Sequence, residues 1–138
     1  MARAQLTRSI EFPAGHRYYR SEWSKQENAE RFGNCANEPA HGHDYRIEVT
    51  VEGEIDERTG MAIDLSALDE LLAQQILRPM DHAFLNELPE FAGERVIPTT
   101  ENLARVIWDR LVPSLPAACS LRRVRVREGR DLWSDYCG

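Results

Sequence analysis

One thiol and two imidazoles lie within nine residues of the chain, and their spacing suits metal chemistry. Five residues separate Cys35 from His41, and a single glycine separates His41 from His43. Residues two apart in an extended strand project from the same face, so both rings can approach one ion. A third histidine would complete a three-ligand site with one open position, as in catalytic zinc centres. The chain has four histidines, so the candidates for that third ligand are His16 and His82.

The pattern of apolar residues selects His16. After His43 the odd positions 45 to 51 are apolar and the even positions are polar, which predicts a half-buried strand. The two histidines of this segment extend its apolar face. Near the N-terminus the even positions 6 to 14 are apolar, apart from position 8, and His16 continues that series. If the two strands pair antiparallel, His16, His41 and His43 meet at one end of the buried face.

The alternative interpretation is that these histidines are hydrogen-bonded core residues. Burial of several imidazoles without partners is costly, so a cluster of them beside a cysteine favours a ligand set. His-x-His alone is only moderately specific, and His16 at matching parity strengthens the prediction.

Two other places carry residues suited to chemistry. Asp81 and His82 are adjacent in the connection after the first predicted helix, where a polar surface turn is the alternative. A thiol such as Cys35 needs a basic partner to become a thiolate, and an imidazole can provide it. Glu128 follows the parity of Val124 and Val126, so it faces the buried side at the end of its strand. A carboxylate there must be paired or must bind a ligand with adjacent N–H donors, unless the strand end reaches solvent.

Composition favours one compact domain spanning residues 1–138, with 42% hydrophobic and 29% charged residues. The net charge of −6 argues against a nucleic-acid partner. The arginines at positions 122, 123, 125 and 127 could meet a small anion or form a solvated strand face. No apolar run approaches the roughly 18 residues of a membrane span, and no signal-like stretch follows the N-terminus. The three cysteines cannot all pair within the chain and form no C-x-x-C motif, so a reducing cytoplasm is the expected location.

The predicted order of elements is ββααββ. Strands are expected at about residues 6–14, 43–55, 121–128 and 132–136. A long polar loop joins the first two, with a short helical turn inside it as an alternative. One helix starts near Ser66, with Ser66 and Asp69 as its N-terminal capping pair, and Pro79 stops it. A second helix starts near Thr99 and ends before Pro113. This is an α+β domain with a four-stranded antiparallel sheet and two helices packed on it.

Five segments in order carry a resemblance across nearly the whole chain: residues 12–17 (FPAGHR), the Cys-x5-His-Gly-His segment, residues 79–82 (PMDH), residues 99–102 (TTEN) and Glu128. Together they resemble the 6-pyruvoyl-tetrahydropterin synthase family, whose bacterial members include 6-carboxytetrahydropterin synthase of the queuosine pathway. The resemblance implies the tunnelling fold, with a four-stranded antiparallel sheet and two helices on one face. It also implies a homohexamer, in which trimers join their sheets into a barrel and two trimers stack.

The resemblance assigns roles to individual residues. It implies Zn²⁺ held by His16, His41 and His43, in agreement with the parity argument. Cys35 matches the family's catalytic base, and Asp81 and His82 match its proton-handling pair. Glu128 matches the residue that anchors the pterin ring, and Thr99, Thr100 and Glu101 match the segment that frames the pocket. In the family the active site lies between subunits, so Cys35 and the Asp81–His82 pair can come from different chains.

The implied substrate is the small molecule 7,8-dihydroneopterin triphosphate, from which triphosphate is eliminated. Two products share this machinery: a 6-pyruvoyl-tetrahydropterin, or a 6-carboxytetrahydropterin with release of acetaldehyde. The five-residue gap between Cys35 and His41 resembles the pyruvoyl-forming type. Arg17 is one candidate for contact with the triphosphate. Other classes of function are a metal-free cysteine hydrolase, which leaves three histidines unexplained, and a zinc- and pterin-binding protein without turnover.

Overall fold

The computed structural model describes all 138 residues. Its four strands, β1 (Arg3–His16), β2 (His41–Glu54), β3 (Ser120–Glu128) and β4 (Trp133–Tyr136), form one sheet in the order β1-β2-β3-β4. Every neighbouring pair is antiparallel. The helices are α1 (Lys25–Phe32), α2 (Leu65–Leu72) and α3 (Thr100–Leu111). The predicted α+β class and its antiparallel sheet are confirmed.

The alternating pattern of β1 and β2 produces one buried face and one solvated face. Ile47 and Val49 are fully buried, as are Val124 and Val126 of β3. Leu68 and Leu72 of α2 and Leu103, Ile107 and Leu111 of α3 pack onto them in one core cluster. Both strands extend two residues beyond the predicted limit at the histidine end, so His16 and His41 are the terminal residues of regular ladders. The sheet therefore controls their orientation.

Helix α1 lies inside the connection predicted as a long polar loop, so the molecule has three helices where the sequence predicted two. Ser24 caps it by accepting a hydrogen bond from the N–H of Glu27, and Gly33 ends it with φ of 58°. Only Asn28 is buried in this helix. Its side chain bonds the backbone N–H and carbonyl of Arg20. This helix is held by a polar side chain and lacks an apolar stripe, so hydrophobic periodicity did not predict it.

The predicted capping pair of α2 is wrong. The helix begins at Leu65, one residue early, and Asp64 is its cap, because its carboxylate accepts from the N–H groups of Ser66 and Ala67. Ser66 is thus a donor within the first turn. Asp69 instead forms a two-bond ion pair with Arg8 of β1, at 2.7 and 3.0 Å. That contact explains the one charged residue in the apolar series of β1.

Pro79 lies inside the last helical turn and does not precede the end of the helix. After α2 the chain continues through a π-helical segment, Ala73–Leu77, into a final turn, Arg78–Met80. Proline cannot donate to the carbonyl four residues earlier, that of Gln75. The Nη1 of Arg110 donates to that carbonyl at 3.1 Å. A side chain of α3 therefore replaces the lost helical bond.

The other face of the sheet is polar and carries ion pairs between strands. Arg46 bonds Glu11, and Arg127 bonds Glu48 at 2.6 Å. Arg125 bonds both carboxylate oxygens of Asp135. Arg122 bonds Glu52 of β2 at 3.0 Å, so three members of the arginine cluster of β3 are paired with carboxylates of neighbouring strands. None of the helices combines the length and apolarity needed to cross a bilayer.

Candidate metal centre and active site

The antiparallel register brings three histidines and one glutamate to a single end of the sheet. His16 lies directly opposite His41, and His43 lies opposite Ala14. Glu128 of β3 lies opposite Tyr45, two residues beyond His43 on β2. The side chains of opposed and diagonal residues on one face are near neighbours, so the four groups converge. The structure brings His16, His41 and His43 together, as the sequence predicted.

Distances within this cluster are short. The Nε2 atoms of His16 and His41 are 3.0 Å apart. The Oε1 of Glu128 lies 2.5 Å from His43 Nε2 and 3.7 Å from His16 Nε2. One potential ligand atom from each of the four residues lies within 4.8 Å of the other three. Such a set of three imidazole nitrogens and one carboxylate oxygen matches the ligands that zinc takes in proteins.

Two buried atoms of the cluster have no hydrogen-bond partner within the chain: Nε2 of His43 and Oε2 of Glu128. Although His43 Nε2 is near Glu128 Oε1, the pair does not meet hydrogen-bond geometry. Buried polar atoms of this kind are rare and call for a partner. A cation between the rings satisfies the nitrogens and attracts the carboxylate, so the residues present fit a metal ion.

His16 is oriented by residues that the sequence did not indicate. Its ring is fully buried, and its Nδ1 lies 2.9 Å from both the carbonyl oxygen of Pro98 and the hydroxyl of Tyr45. A proton on Nδ1, donated to Pro98, leaves the lone pair of Nε2 facing the other histidines. This is the usual outer support of a metal-binding histidine. Pro98 comes from the segment before α3, so only the folded chain reveals the contact.

Burial keeps the three imidazoles neutral. It lowers the pKa of His16 to about 4, against the smaller opposing effect of the hydrogen bond to Pro98. Burial also lowers the pKa of His41 and of His43, and the charge of His43 adds to the effect at His41. Neutral imidazole is the form that binds metals. Burial, with a smaller contribution from the charge of Glu101, raises the pKa of Glu128.

Cys35 lies on a short 3-10 helix, Gly33–Ala36, that follows α1. Its carbonyl accepts a hydrogen bond from the N–H of Tyr18, whose ring packs edge-on against His16 at 4.9 Å between centroids. The thiol is half-buried and unpaired. Burial and then the charge of Glu128 raise the pKa of Cys35. Tyr18 therefore links the turn that carries the thiol to His16 of the cluster.

Asp81 and His82 form a hydrogen-bonded pair, with 2.7 Å between Oδ1 and Nδ1. His82 has a left-handed backbone, φ 58°, which is unusual for a residue other than glycine. Its N–H donates to the carbonyl of Pro13 at 2.7 Å, and this bond anchors the turn to β1. The His82 side chain is 79% exposed. No hydrogen bond or ion pair joins the pair to Cys35 within one chain.

His82 and His43 both line a cavity of about 370 Å³. Residues from the end of β1 and the start of β2 also line it. Gly15 and Gly42 lie opposite each other in the register and both line this space. The structure thus brings the exposed imidazole and one histidine of the cluster to the same cavity.

The segment at the start of α3 forms a hydroxyl and carboxylate cluster. Thr99 caps the helix by accepting from the N–H of Asn102. Oε1 of Glu101 accepts hydrogen bonds from Thr100 at 2.8 Å and from Ser134 at 3.1 Å. The hydroxyls of Thr100 and Ser134 are 2.7 Å apart. Ser134 of β4 was missed by sequence reasoning, because a serine in an edge strand carries no signal of its own.

The chain matches a family model described as 6-pyruvoyl tetrahydropterin synthase over residues 5–138. It belongs to this family. A human 6-pyruvoyl tetrahydrobiopterin synthase is 44% identical over 126 residues, covering 91% of this chain and 85% of that protein. The structure of Caenorhabditis elegans 6-pyruvoyl tetrahydropterin synthase superposes with a TM-score of 0.90 at 32% identity, covering 100% of this chain and 97% of that one. A Pyrococcus furiosus dihydroneopterin monophosphate aldolase is 30% identical over 129 residues, covering 94% and 93% respectively.

Membership of the 6-pyruvoyl tetrahydropterin synthase family confirms the resemblance read from the five sequence segments, and the superposition confirms the fold. The family is one of lyases that act on pterins. Within one chain, the predicted site residues form three groups. The three histidines converge with Glu128, and Tyr18 links the Cys35 turn to His16. Thr99, Thr100 and Glu101 lie at the start of α3, while the Asp81–His82 pair is at the surface and is anchored to β1.

Proposed function

We propose that the protein is a zinc-dependent lyase that eliminates triphosphate from 7,8-dihydroneopterin triphosphate to give 6-pyruvoyl-tetrahydropterin. The observation that carries this proposal is the convergence of His16, His41 and His43 with Glu128 in a chain of this family, next to the turn that carries Cys35. The conversion needs no external oxidant, because the side chain is oxidised as the ring is reduced. The residues must therefore bind the pterin, position its side chain and move protons.

Zinc would be held by His16, His41 and His43. When bound, it would act as a Lewis acid on the side-chain hydroxyls and favour the thiolate form of a nearby cysteine. The support for this ligand set is the convergence of the three imidazoles, the lowered pKa of each and the lack of a partner at His43 Nε2.

Glu128 would anchor the pterin ring, because its carboxylate can accept hydrogen bonds from the adjacent N–H groups of the pterin. Its Oε2 is buried without a partner in the chain, and a buried acceptor of this kind gains most from a ligand donor. The charge of Glu101 contributes to the raised pKa of Glu128, after the larger effects of burial and His41. Thr100 and Ser134 hold one oxygen of Glu101, while Thr99 fixes the start of α3. These residues would form the frame of the pterin pocket.

Cys35 would act as the base that takes a proton from the substrate side chain, and His82, oriented by Asp81, would relay one. General acid–base groups must lie within hydrogen-bond reach of their protons, directly or through water. The exposure of His82 and the absence of a link to Cys35 in the same chain support a site shared between copies. A homohexamer would bring these groups together, and both edge strands β1 and β4 have an unpaired side for such assembly.

A cytoplasmic location is part of the proposal. All three cysteines, Cys35, Cys119 and Cys137, are free thiols, which suits a reducing compartment.

The test is to incubate the zinc-loaded protein with 7,8-dihydroneopterin triphosphate, identify products by mass and trap any acetaldehyde. Formation of 6-pyruvoyl-tetrahydropterin and triphosphate, without acetaldehyde, supports the proposal. The zinc-free protein and the Cys35→Ala variant are the controls, and either one at full activity would remove the mechanism. Glu128→Ala separates its two possible roles: retained zinc with weakened pterin binding supports the anchor, whereas loss of zinc makes Glu128 a ligand.

The second candidate is a 6-carboxytetrahydropterin synthase, which cleaves a carbon–carbon bond and releases acetaldehyde. The observation in its favour is the 30% identity to a protein described as an aldolase, which indicates that this family includes relatives with a different reaction. Acetaldehyde together with a carboxypterin would identify this activity. Zinc binding and pterin binding without either product would leave a binding protein.

A further inference from the structure

Three consecutive residues at the end of β1 join the histidine cluster to the turn that carries Cys35. His16 belongs to the cluster, while Arg17 and Tyr18 contact the turn. We propose that Arg17 is a positioning residue, which locks the Cys35 turn against β1, and that it does not serve as a contact for the substrate's phosphates. The inference rests on the proposed function, since it assumes that Cys35 is the base.

Two hydrogen bonds hold consecutive carbonyls of the turn. The Nε of Arg17 donates to the carbonyl of Ala36, and the N–H of Tyr18 donates to the carbonyl of Cys35, each at 2.9 Å. The last carbonyls of a short helix have no partner in the helix itself, so outside donors fix where it ends. The side chain of Arg17 and the backbone beyond it thus determine where the thiol lies relative to His16.

Arg17 is itself held firmly. Asn86 accepts from the N–H of Arg17 at 2.9 Å and donates to its carbonyl at 2.8 Å. The guanidinium stacks on Tyr19, with Cζ 4.0 Å from the ring centroid. The side chain is only 18% exposed. The backbone of Arg17 is hydrogen-bonded, its guanidinium is stacked on a ring, and its Nε already donates to Ala36. The side chain is therefore preorganised to hold the neighbouring turn.

The same contacts argue against a role in phosphate binding. The Nη2 of Arg17 lies 3.6 Å from Oε1 of Glu38, whose side chain is 72% exposed. A triphosphate approaching this guanidinium would meet the negative charge of Glu38 as well as the small exposed area of Arg17. The sequence offered Arg17 as a phosphate contact only because of its charge and its place after His16.

The experiment compares Arg17→Gln and Arg17→Lys with a matched control, Arg20→Gln. Arg20 also donates to a backbone carbonyl, from Nη1 to Glu94 at 2.9 Å, but away from the Cys35 turn. Lysine keeps the positive charge and loses the Nε donor, so it separates charge from positioning. Two quantities are measured: kcat and KM with 7,8-dihydroneopterin triphosphate, and the rate of Cys35 alkylation by iodoacetamide in the zinc-loaded protein. Peptide mass spectrometry reports Cys35 separately, with Cys119 and Cys137 as internal references.

We expect both Arg17 variants to lower kcat about tenfold with KM changed less than about threefold, since one hydrogen bond from a charged donor is lost. Cys35 should be alkylated several-fold faster because the loosened turn exposes the thiol, while the reference cysteines and Arg20→Gln stay at wild-type values. A tenfold rise in KM that lysine restores, with unchanged alkylation, would instead make Arg17 a phosphate contact. Unchanged kinetics and alkylation would also overturn the inference.

The alkylation measurement needs no turnover. If the wild-type protein proves inactive on this substrate, the proposed function fails but the link between Arg17 and the Cys35 turn is still tested. Thermal unfolding identifies a variant that does not fold, and in that case the lysine variant carries the comparison.

Discussion

The histidine cluster and the Cys35 turn are neighbours, yet they are held in place by different means. His16, His41 and His43 end two paired strands, so backbone ladders and alternating side-chain directions orient them. Cys35 lies on a short 3-10 helix outside the sheet, where individual bonds from Arg17 and Tyr18 hold it. The backbones of the paired strands fix the positions of the three histidines, and the contacts of His16 with Pro98 and Tyr45 add to that order. The turn depends on a few specific hydrogen bonds, so single substitutions should disturb the chemistry there without removing the metal site.

The largest effect is expected from removal of a ligand in the regular region. His41→Ala should reduce zinc content to background, a greater loss than the roughly 10- to 100-fold caused by removing an outer hydrogen-bond partner. His82→Ala is the matched control, because its side chain lies outside the cluster, and it should keep its zinc. Elemental analysis after dialysis measures both. Full zinc content in His41→Ala would contradict the ligand assignment.

The next effect separates the two regions. Cys35→Ala should lower kcat by roughly 10²- to 10⁴-fold, the usual contribution of a general base, while zinc content stays unchanged. Cys137→Ala removes an exposed thiol that follows β4 and serves as the control. Steady-state kinetics with metal analysis on the same samples makes the comparison. Loss of zinc in Cys35→Ala would mean that the turn and the cluster are not independent.

Acid should weaken the fold of the zinc-free protein through the cluster. Below pH 6.5 the unfolded chain protonates at His16, while the folded chain resists protonation until about pH 4. The contribution of His16 to the free energy of unfolding is therefore fully present above pH 6.5. It decreases as the pH falls toward 4, by at most about 3 kcal/mol. Denaturant titrations across this range measure the decrease, and NMR of the His16 ring locates its pKa. A His16→Asn variant with the same pH dependence would show that other groups cause it.

The smallest effect tests the frame of the proposed pterin pocket. Ser134→Ala removes one of two hydrogen bonds to Glu101 and should raise KM about three- to tenfold with little change in kcat. Ser134→Thr should restore the wild-type value. Thr7→Val is the matched control, since it removes a hydroxyl pair of similar length, Thr7 with Thr50 at 2.8 Å, on the polar face. A reduced kcat with unchanged KM would place Ser134 in a different role.

Strand parity predicted the sheet, its buried face and the convergence of the histidines. It could do so because successive side chains of any strand point to opposite faces of the sheet. The same reasoning predicted that Glu128 faces the buried side. It did not predict α1, whose stability comes from the buried amide of Asn28 and not from an apolar stripe. It also misplaced the start of α2, because a capping motif identifies a short segment and not which of its polar residues takes the cap.

The amino-acid sequence by itself determined the class of fold and the family, and it named the candidate site residues, since these follow from residue types, spacing and periodicity. Tertiary structure alone decided what supports them. Pro98 reaches His16 across 82 positions, Ser134 reaches Glu101 across 33, and Arg17 holds the turn at Ala36. Such contacts join residues with no fixed sequence relationship, and only packing of the sheet against its helices and loops brings them within hydrogen-bond distance.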